Sequence, residues 1–492
     1  MRRLLRTVRR WALPALLGVV ALGAWQAADR ADFDQVATTP VVYDQTLSTP
    51  MLSARRVPRT LRAPVSDDLI SAEIDRITTV LNGQQACVAV SNGERTLGQV
   101  KEVAGGVIPA SNQKLLTTWA ALEILGPDFA FTTRVTSPTG VTGGVVDGDL
   151  HLVGDGDPFL VTENWIAQFE ESSARFHTPL EELADAVVAS GVSEVTGSVV
   201  GDESLYDDVR YGPWDNRLII QKQSGPLSAL TVNEGFNDWP EEFRSAFQRR
   251  ETDNPPVHAA SVFTQLLRER GVVVAGGPIA GLTPAGSVDI TSIRSPELTE
   301  LATHINTYSS NLGAELLLKR LGLVTRGQGS TAAGAAAVAE LLAERGLPLD
   351  NVMVFDGSGL AETNRLTCTL LATLLATEGP DTDLGRSLAI GGERGSLAER
   401  FVDAPADGLV LAKTGTLQGV RALSGYVWSA AEDIEEEGRF VSFAQILNDD
   451  DAVEEEQMFA IQEPLVNALV TYPSGPSVEE LSPRQPTTEE AE

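Results

Sequence analysis

Between Val135 and Thr291 the chain changes texture, and that change constrains the fold more than any other feature of the sequence. Ahead of it, "ACVAVSNG" and "LGQVKEVAGG" read as two short strands around an Asn-Gly turn. Ser111 to Leu125 reads as a helix with Leu115, Trp119 and Leu122 at one-face spacing. Within it, short Val/Gly strands such as "GGVVDGDLHLVGDG" and "EVTGSVVGDES" alternate with helical runs near "LEELADAVVAS" and "AASVFTQLLRERG". Behind it, helical texture returns from "SPELTELATHIN" through "NLGAELLLKRLG" and the Ala-rich run after Ser330. Three strand candidates follow, "GLVLAKTGT", "ALSGYVWSA" and "RFVSFAQILN", the last two joined through an acidic turn at Glu435 to Gly438. A last helical segment is bent or restarted at Pro464. This order predicts an α+β fold, a mostly antiparallel sheet flanked by helices, interrupted by inserted mixed α/β domains with a core of their own. The expected boundaries are 65–134 and 292–472 for the two parts of the host domain and 135–291 for the insert.

The two ends read differently. "MRRLLRTVRRWALPALLGVVALGAWQAA" places five arginines before an apolar run from Trp11 to Ala24, the pattern of an export signal or an uncleaved membrane anchor over residues 1–28. Residues 29–64 are Thr- and Pro-rich and read as a linker, with structure beginning near Val65; 473–492 read as a disordered acidic tail. The 68 acidic against 37 basic side chains give a net charge of -31, which repels phosphate backbones and excludes nucleic acid as a partner. An extracytoplasmic enzyme, secreted or held at the cell membrane by its N-terminal segment, is the expected context. Cys87 and Cys368 form at most one bridge, and two buried thiols are the expectation. His151, His177, His258 and His304 lack metal-ligand spacing, and Asp155-Gly156-Asp157 lacks a twelve-residue calcium loop, so no metal or cofactor is expected.

The chain holds only five lysines, Lys101, Lys114, Lys222, Lys319 and Lys413, which gives weight to two of them. "SNQK" sets Ser111 three residues before Lys114, "YSSN" follows with Ser309 and Asn311, and "AKTGT" brings Lys413, Thr414, Gly415 and Thr416. Each element alone is weak; together, in order, on helix, loop and strand, they are specific. Residues three apart share a helix face, so Lys114 can lie against the Ser111 hydroxyl. Desolvation and the neighbouring Lys413 then favour the neutral amine a base requires. The backbone N–H groups of Ser111 and Thr416 can form an oxyanion hole. Ser309 can pass a proton to the leaving amine, and Asn311 can hold a substrate amide. Lys413, Thr414 and Thr416 on an edge strand attract a carboxylate, Gly415 admits a peptide backbone, and Gln418 is a further polar contact.

These motifs, with "LVGDGDPFL", "GPLSALTVNEG", "DGSGL", "NRLT" and "KTGTLQGVRALSGYV", resemble the class C low-molecular-mass penicillin-binding proteins, the D-alanyl-D-alanine carboxypeptidase and endopeptidase family, from about Leu52 to Leu469. The resemblance implies a penicillin-binding transpeptidase-like domain carrying inserted domains, and acyl transfer. Ser111 would attack the terminal D-Ala-D-Ala amide, or a D-configured cross-link, of peptidoglycan peptides, and β-lactams would acylate it. One departure stands out: after "DGSGL" the family often has Ser-Arg before the Asn, where this chain has Ala361-Glu362-Thr363-Asn364. Carboxypeptidase and endopeptidase action share all the motifs. A serine β-lactamase-like hydrolase uses the same three elements, but the long insert argues against it. An inactive wall-binding scaffold is opposed by the intact Ser111, Lys114, Ser309, Asn311 and Lys413.

Overall fold

The computed structural model describes residues 59–79, 85–93, 96–100, 105–169, 176–238, 249–430, 440–448 and 455–472, all within one compact unit, Pro58–Pro476. The leader at 1–28, the linker up to residue 58, the acidic turn at Glu435 to Gly438 and the tail from 473 lie outside the described residues.

Six strands form the central sheet: β1 (Gln85–Ser91), β2 (Thr96–Val100), β3 (Ala389–Ile390), β4 (Val410–Leu417), β5 (Val420–Trp428) and β6 (Phe440–Asn448). Their order is β3-β4-β5-β6-β1-β2 and every neighbouring pair is antiparallel. β1, which precedes the insert, pairs along its whole length with β6, near the end of the chain. Both sheet faces are buried, which is why the strands read as nearly continuous apolar runs. On one face Val88, Val90, Leu423, Val427, Val441 and Phe443 pack against Ile70, Ile74 and Ile77 of α1 (Arg59–Thr78). Leu465, Val466 and Leu469 of the last helix complete that layer. On the other face Cys87, Ala89, Ala422, Tyr426, Ala444 and Ile446 meet a helical layer. That layer comprises α2 (Gln113–Leu125), α3 (Leu298–Tyr308), α4 (Asn311–Arg326), α5 (Thr331–Glu344) and α6 (Cys368–Glu378). The last helix, α7 (Glu455–Val470), continues through Pro464.

Structure starts earlier than the sequence suggests. Helix α1 opens at Arg59, and Pro64, read as the end of a linker, lies in its second turn, where the ring costs a backbone hydrogen bond without ending the helix. Between Thr132 and Arg294 the chain builds separate sheets. A five-stranded mixed sheet runs in the order 279–280, 199–202, 150–153, 132–137, 288–294, and a three-stranded parallel one in the order 273–274, 194–195, 145–146. Leu180–Ala189 and Pro255–Glu269 are helices with strong one-sided burial, and Leu183, Val187, Phe263 and Leu267 close a core that also takes Val135, Leu150 and Leu152 from the five-stranded sheet. A smaller apolar cluster joins this region to α4, β4 and the loop at Leu360: Tyr206, Trp214, Leu218 and Leu227 pack with Leu312, Leu316, Leu360 and Leu417.

The expectation of two buried thiols is wrong. Cys87 and Cys368 form a disulfide with Cα atoms 5.8 Å apart. Cys87 points from β1 toward the helical layer and Cys368 is the first residue of α6, so two residues 281 positions apart in sequence meet at one packed contact, both fully buried. Among the described residues no helix is long and apolar enough to cross a membrane.

The bridge closes a very long loop of the unfolded chain, so its loss weakens the fold. Cys87→Ser paired with Cys368→Ser is expected to lower unfolding stability by about 2–5 kcal/mol, read from denaturant midpoints. An unchanged midpoint would show that the bridge adds nothing to the packing around it.

Candidate active site

Three segments converge above the helical layer. The first is a short 3-10 turn, Ala110–Asn112, that runs into α2. Ala110 sits at φ 46°, and its carbonyl lies so close to Gly359 that a Cβ there would come within 1.8 Å of it. Ser111 occupies this turn, one step before the α-helix proper, and Lys114 lies in the first turn of α2, where the i to i+3 relation brings the two side chains together. The second segment is the corner between α3 and α4. Ser309 ends α3 in the left-handed region at φ 60°, a conformation uncommon for a residue with a side chain, and Ser310 caps α4 by accepting from Gly313 N. The corner therefore presents Ser309 and Asn311 side by side. The third is β4, whose partner β3 pairs only with Leu411 and Ala412, leaving the outer edge from Lys413 to Leu417 open.

The Lys114 side chain is fully buried. Its Nζ donates to Ser111 Oγ at 3.0 Å, Asn311 Oδ1 at 2.7 Å and the Ser358 carbonyl at 2.7 Å. Burial pushes its pKa down to about 7, against the opposing pull of Asp356 and Glu315. Lys413, equally buried, donates to Ser309 Oγ and to the Thr414 carbonyl, each at 2.9 Å. Burial and then repulsion from Lys114 hold it well below the ordinary lysine value. Desolvation is thus the larger cause at both lysines, and repulsion from Lys114 adds to it at Lys413.

Most of the residues singled out by sequence meet here. Ser111, Lys114 and Asn311 form one hydrogen-bonded group, and Ser309 and Lys413 a second. Gly415 runs against the first: a Cβ on it would lie 3.0 Å from the Pro109 carbonyl and 3.2 Å from the Ser111 amide nitrogen. Thr414 Oγ1 bonds Ser396 Oγ at 2.8 Å, and Thr416 and Gln418 are exposed along and just beyond the strand. Asn311 Nδ2 donates to the Gln223 carbonyl at 2.6 Å, so the amide expected to face a substrate is engaged with the Thr132–Arg294 region in the free chain.

Sequence reasoning did not find the floor of the site. The segment "DGSGL" wraps around Asp356, whose carboxylate accepts from Gly359 N, Ala361 N, Asn364 Nδ2 and Trp214 Nε1 at 2.6–3.0 Å. Glu362, at the departure from the family pattern, pairs with Arg217. The Ser358 contact to Lys114 is made by the main chain, which no side-chain motif encodes. Glu315 did carry a signal, as an acid one turn after Asn311 on a helix whose surrounding residues are apolar. Among the described residues no group of three or more His, Cys, Asp and Glu is arranged to hold a metal ion.

The D-Ala-D-Ala carboxypeptidase 3 (S13) family matches residues 79–239 and 238–471. The chain belongs to this family. A D-alanyl-D-alanine carboxypeptidase of Actinomadura sp. (strain R39) is 30% identical over 398 residues, 65% of this chain and 71% of that protein. A carboxypeptidase of Mycobacterium tuberculosis (strain ATCC 25618 / H37Rv) is 29% identical over 420 residues, 82% of each. The crystal structure of penicillin binding protein 4 from Haemophilus influenzae superposes with a TM-score of 0.65 at 21% identity, over 81% of this chain and 97% of that one, which shows the shared α+β fold. As an S13 peptidase, the chain is a serine-type D-Ala-D-Ala carboxypeptidase.

The depressed Lys114 pKa has a consequence for stability that is independent of catalysis. Between about pH 7 and the ordinary 10.5, the unfolded chain holds a proton on Lys114 that the folded chain has released. More protons bound in the unfolded state means that stability rises with pH across this window, by on the order of 1 kcal/mol per pH unit from this group. Lys114→Met removes that contribution. Urea unfolding of both proteins at about pH 7.5 and about pH 9.5 is expected to show the wild type gaining on the variant as pH rises. Parallel changes would place the Lys114 pKa in the ordinary range.

Proposed function

We propose that the S13 activity of this chain runs through an acyl-enzyme on Ser111, formed on the terminal D-alanyl-D-alanine amide of peptidoglycan stem peptides and, in the same way, on β-lactams. The observation that carries this reading is the fully buried Lys114 amine, 3.0 Å from Ser111 Oγ and poised near neutrality. A lysine at its usual pKa could not accept a proton at neutral pH; one pushed to about 7 can.

The chemistry then follows from the contacts. Neutral Lys114 takes the Ser111 proton as Oγ attacks the scissile carbonyl carbon, and the developing oxyanion faces the Ser111 and Thr416 amides. Collapse of the tetrahedral species breaks the C–N bond, and the leaving amine takes a proton by way of Ser309, which Lys413 holds in place. Water then adds to the ester and Ser111 leaves with a proton, restoring the starting state. The open edge of β4 receives the substrate backbone, and Lys413 with the Thr414 and Thr416 hydroxyls offers donors to the terminal carboxylate. Gln418, exposed just beyond that strand, is assigned a polar contact to the peptide. Cross-linked peptides carry the same D-configured amide, so endopeptidase action falls within the same mechanism.

The reading also sets a location. The buried disulfide suits an oxidising compartment, and together with the arginine-led apolar run at residues 1–28 it supports work outside the cytoplasm, with that run as export signal or anchor. Residues 135–291 are assigned as the inserted domains, with Gln223 and Trp214 among their contacts to the catalytic part.

Two results test this. Ser111→Ala is expected to abolish covalent labelling by a fluorescent penicillin while leaving the far-UV circular dichroism unchanged; labelling that survives would move the nucleophile elsewhere. The acylation rate of the wild type is expected to rise with pH through a midpoint near the Lys114 value of about 7, because the ammonium form cannot accept the Ser111 proton. A rate flat across that range would remove Lys114 from the role of base.

A further inference from the structure

Glu315 is a fully buried carboxyl that the acyl-transfer steps do not use. It lies on α4 one turn beyond Asn311, so both side chains leave the same helix face toward α2. Glu315 Oε1 accepts two backbone N–H groups, from Gly357 at 3.0 Å and from Ser358 at 2.8 Å. The next carbonyl along this backbone serves Lys114: Ser358 O accepts from Lys114 Nζ at 2.7 Å. A second tie holds the Gly357–Ser358 peptide from its carbonyl side, because Thr117 Oγ1, on α2 one turn after Lys114, donates to the Gly357 carbonyl at 2.8 Å. Gly357 is a glycine for a local reason: a Cβ there would come within 2.6 Å of the Ala314 carbonyl, so the loop lies directly on α4.

A buried acceptor with two donors is a fixed point, and what it fixes here is one of the three acceptors around the Lys114 amine. We propose that Glu315 is a positioning residue for the acylation step, acting through the backbone of Gly357 and Ser358 to aim the Ser358 carbonyl at Lys114 and so hold the amine on Ser111. The inference rests on the assignment of Ser111 and Lys114 as nucleophile and base. In it Glu315 touches neither substrate nor the reacting atoms, and its reach matters rather than its charge. The other charged groups facing this amine are Asp356, which is tied up by its own loop, and Lys413 across the cleft. Burial and then the nearby Asp356 push the Glu315 carboxyl above the ordinary carboxylate range, and both backbone N–H groups bind a single oxygen, so an amide of the same length supplies the same acceptor.

Two variants separate reach from charge. Glu315→Gln keeps the length and the acceptor oxygen; Glu315→Asp keeps the carboxyl but shortens the side chain by one methylene, so it cannot reach both N–H groups. Acylation by a labelled penicillin would be followed against pH for both, beside the wild type, with thermal melts to confirm folding. The expected result is that Glu315→Gln acylates within about threefold of the wild type at neutral pH and above. Glu315→Asp is expected to fall by about 30-fold or more, with its acid limb moved to lower pH, because an ammonium that loses an aligned acceptor gives up its proton more readily. A folded Glu315→Asp with the wild-type rate and limb would overturn the positioning role, and so would a Glu315→Gln as impaired as Glu315→Asp, which would make charge the property that counts. If the wild type itself is not labelled, the acyl-enzyme reading fails and this inference falls with it; if the wild type is labelled and only the variant pattern differs, the inference about Glu315 falls alone.

Discussion

Burying the amine of Lys114 is the constraint on which the site depends. An ammonium taken out of water without partners is too costly to keep, so the structure supplies three acceptors and leaves the amine near neutrality. Each acceptor comes from a different part of the chain: Ser111 from the turn before α2, Asn311 from the start of α4, and Ser358 from the loop around Asp356. The second lysine, Lys413, enters from β4 with its own acceptors and is held well below the ordinary value by burial and then by repulsion from Lys114. Glu315 and Asp356 sit beneath them, so two acids and two amines share one buried volume. In such a cluster protonation states are set jointly.

The topology makes this convergence possible. β1 and α2 precede the segment from Thr132 to Arg294, whereas α4, the Asp356 loop and β4 follow it, so the site does not exist until the two parts have docked. Three features hold them together. β1 pairs along its length with β6, the Cys87–Cys368 bridge ties β1 to α6, and the Ala110 carbonyl packs onto Gly359. The intervening segment reaches back to the same place, through Trp214 on Asp356 and the Gln223 carbonyl on Asn311. Those contacts link the segment to the site by hydrogen bonds as well as by the apolar cluster around Leu227 and Leu316.

Much of this was legible in the sequence because it is written in side-chain types and periods. The strands around Val410–Leu417, Val420–Trp428 and Phe440–Asn448 show as apolar runs because the sheet is covered on both faces. Helix α2 shows through Leu115 and Trp119, and the acyl-transfer candidates through residues that few other sites combine. The remainder was hidden for physical reasons. Pro64 masks the start of α1 because a proline in an early turn and a proline in a linker look the same in one sequence. The disulfide depends on a meeting of β1 and α6 that spacing does not encode, and a cysteine alone on a buried strand resembles any small apolar residue. The floor of the site is made by the carbonyl of Ser358 and the amides of Gly357 and Gly359, and backbone groups carry no residue signature.

The central claim is that Lys114 is an amine near neutrality rather than a fixed ammonium, and the scarcity of lysine in this chain allows it to be measured directly. With lysine labelled isotopically at Cε, the five side chains give a spectrum simple enough to follow one by one against pH, and Lys114→Met identifies the signal that disappears. That signal is expected to titrate at about pH 7, with Lys413 also displaced well below the ordinary range. A Lys114 signal that holds its proton up to about pH 10, the usual lysine value, would contradict the account at its base.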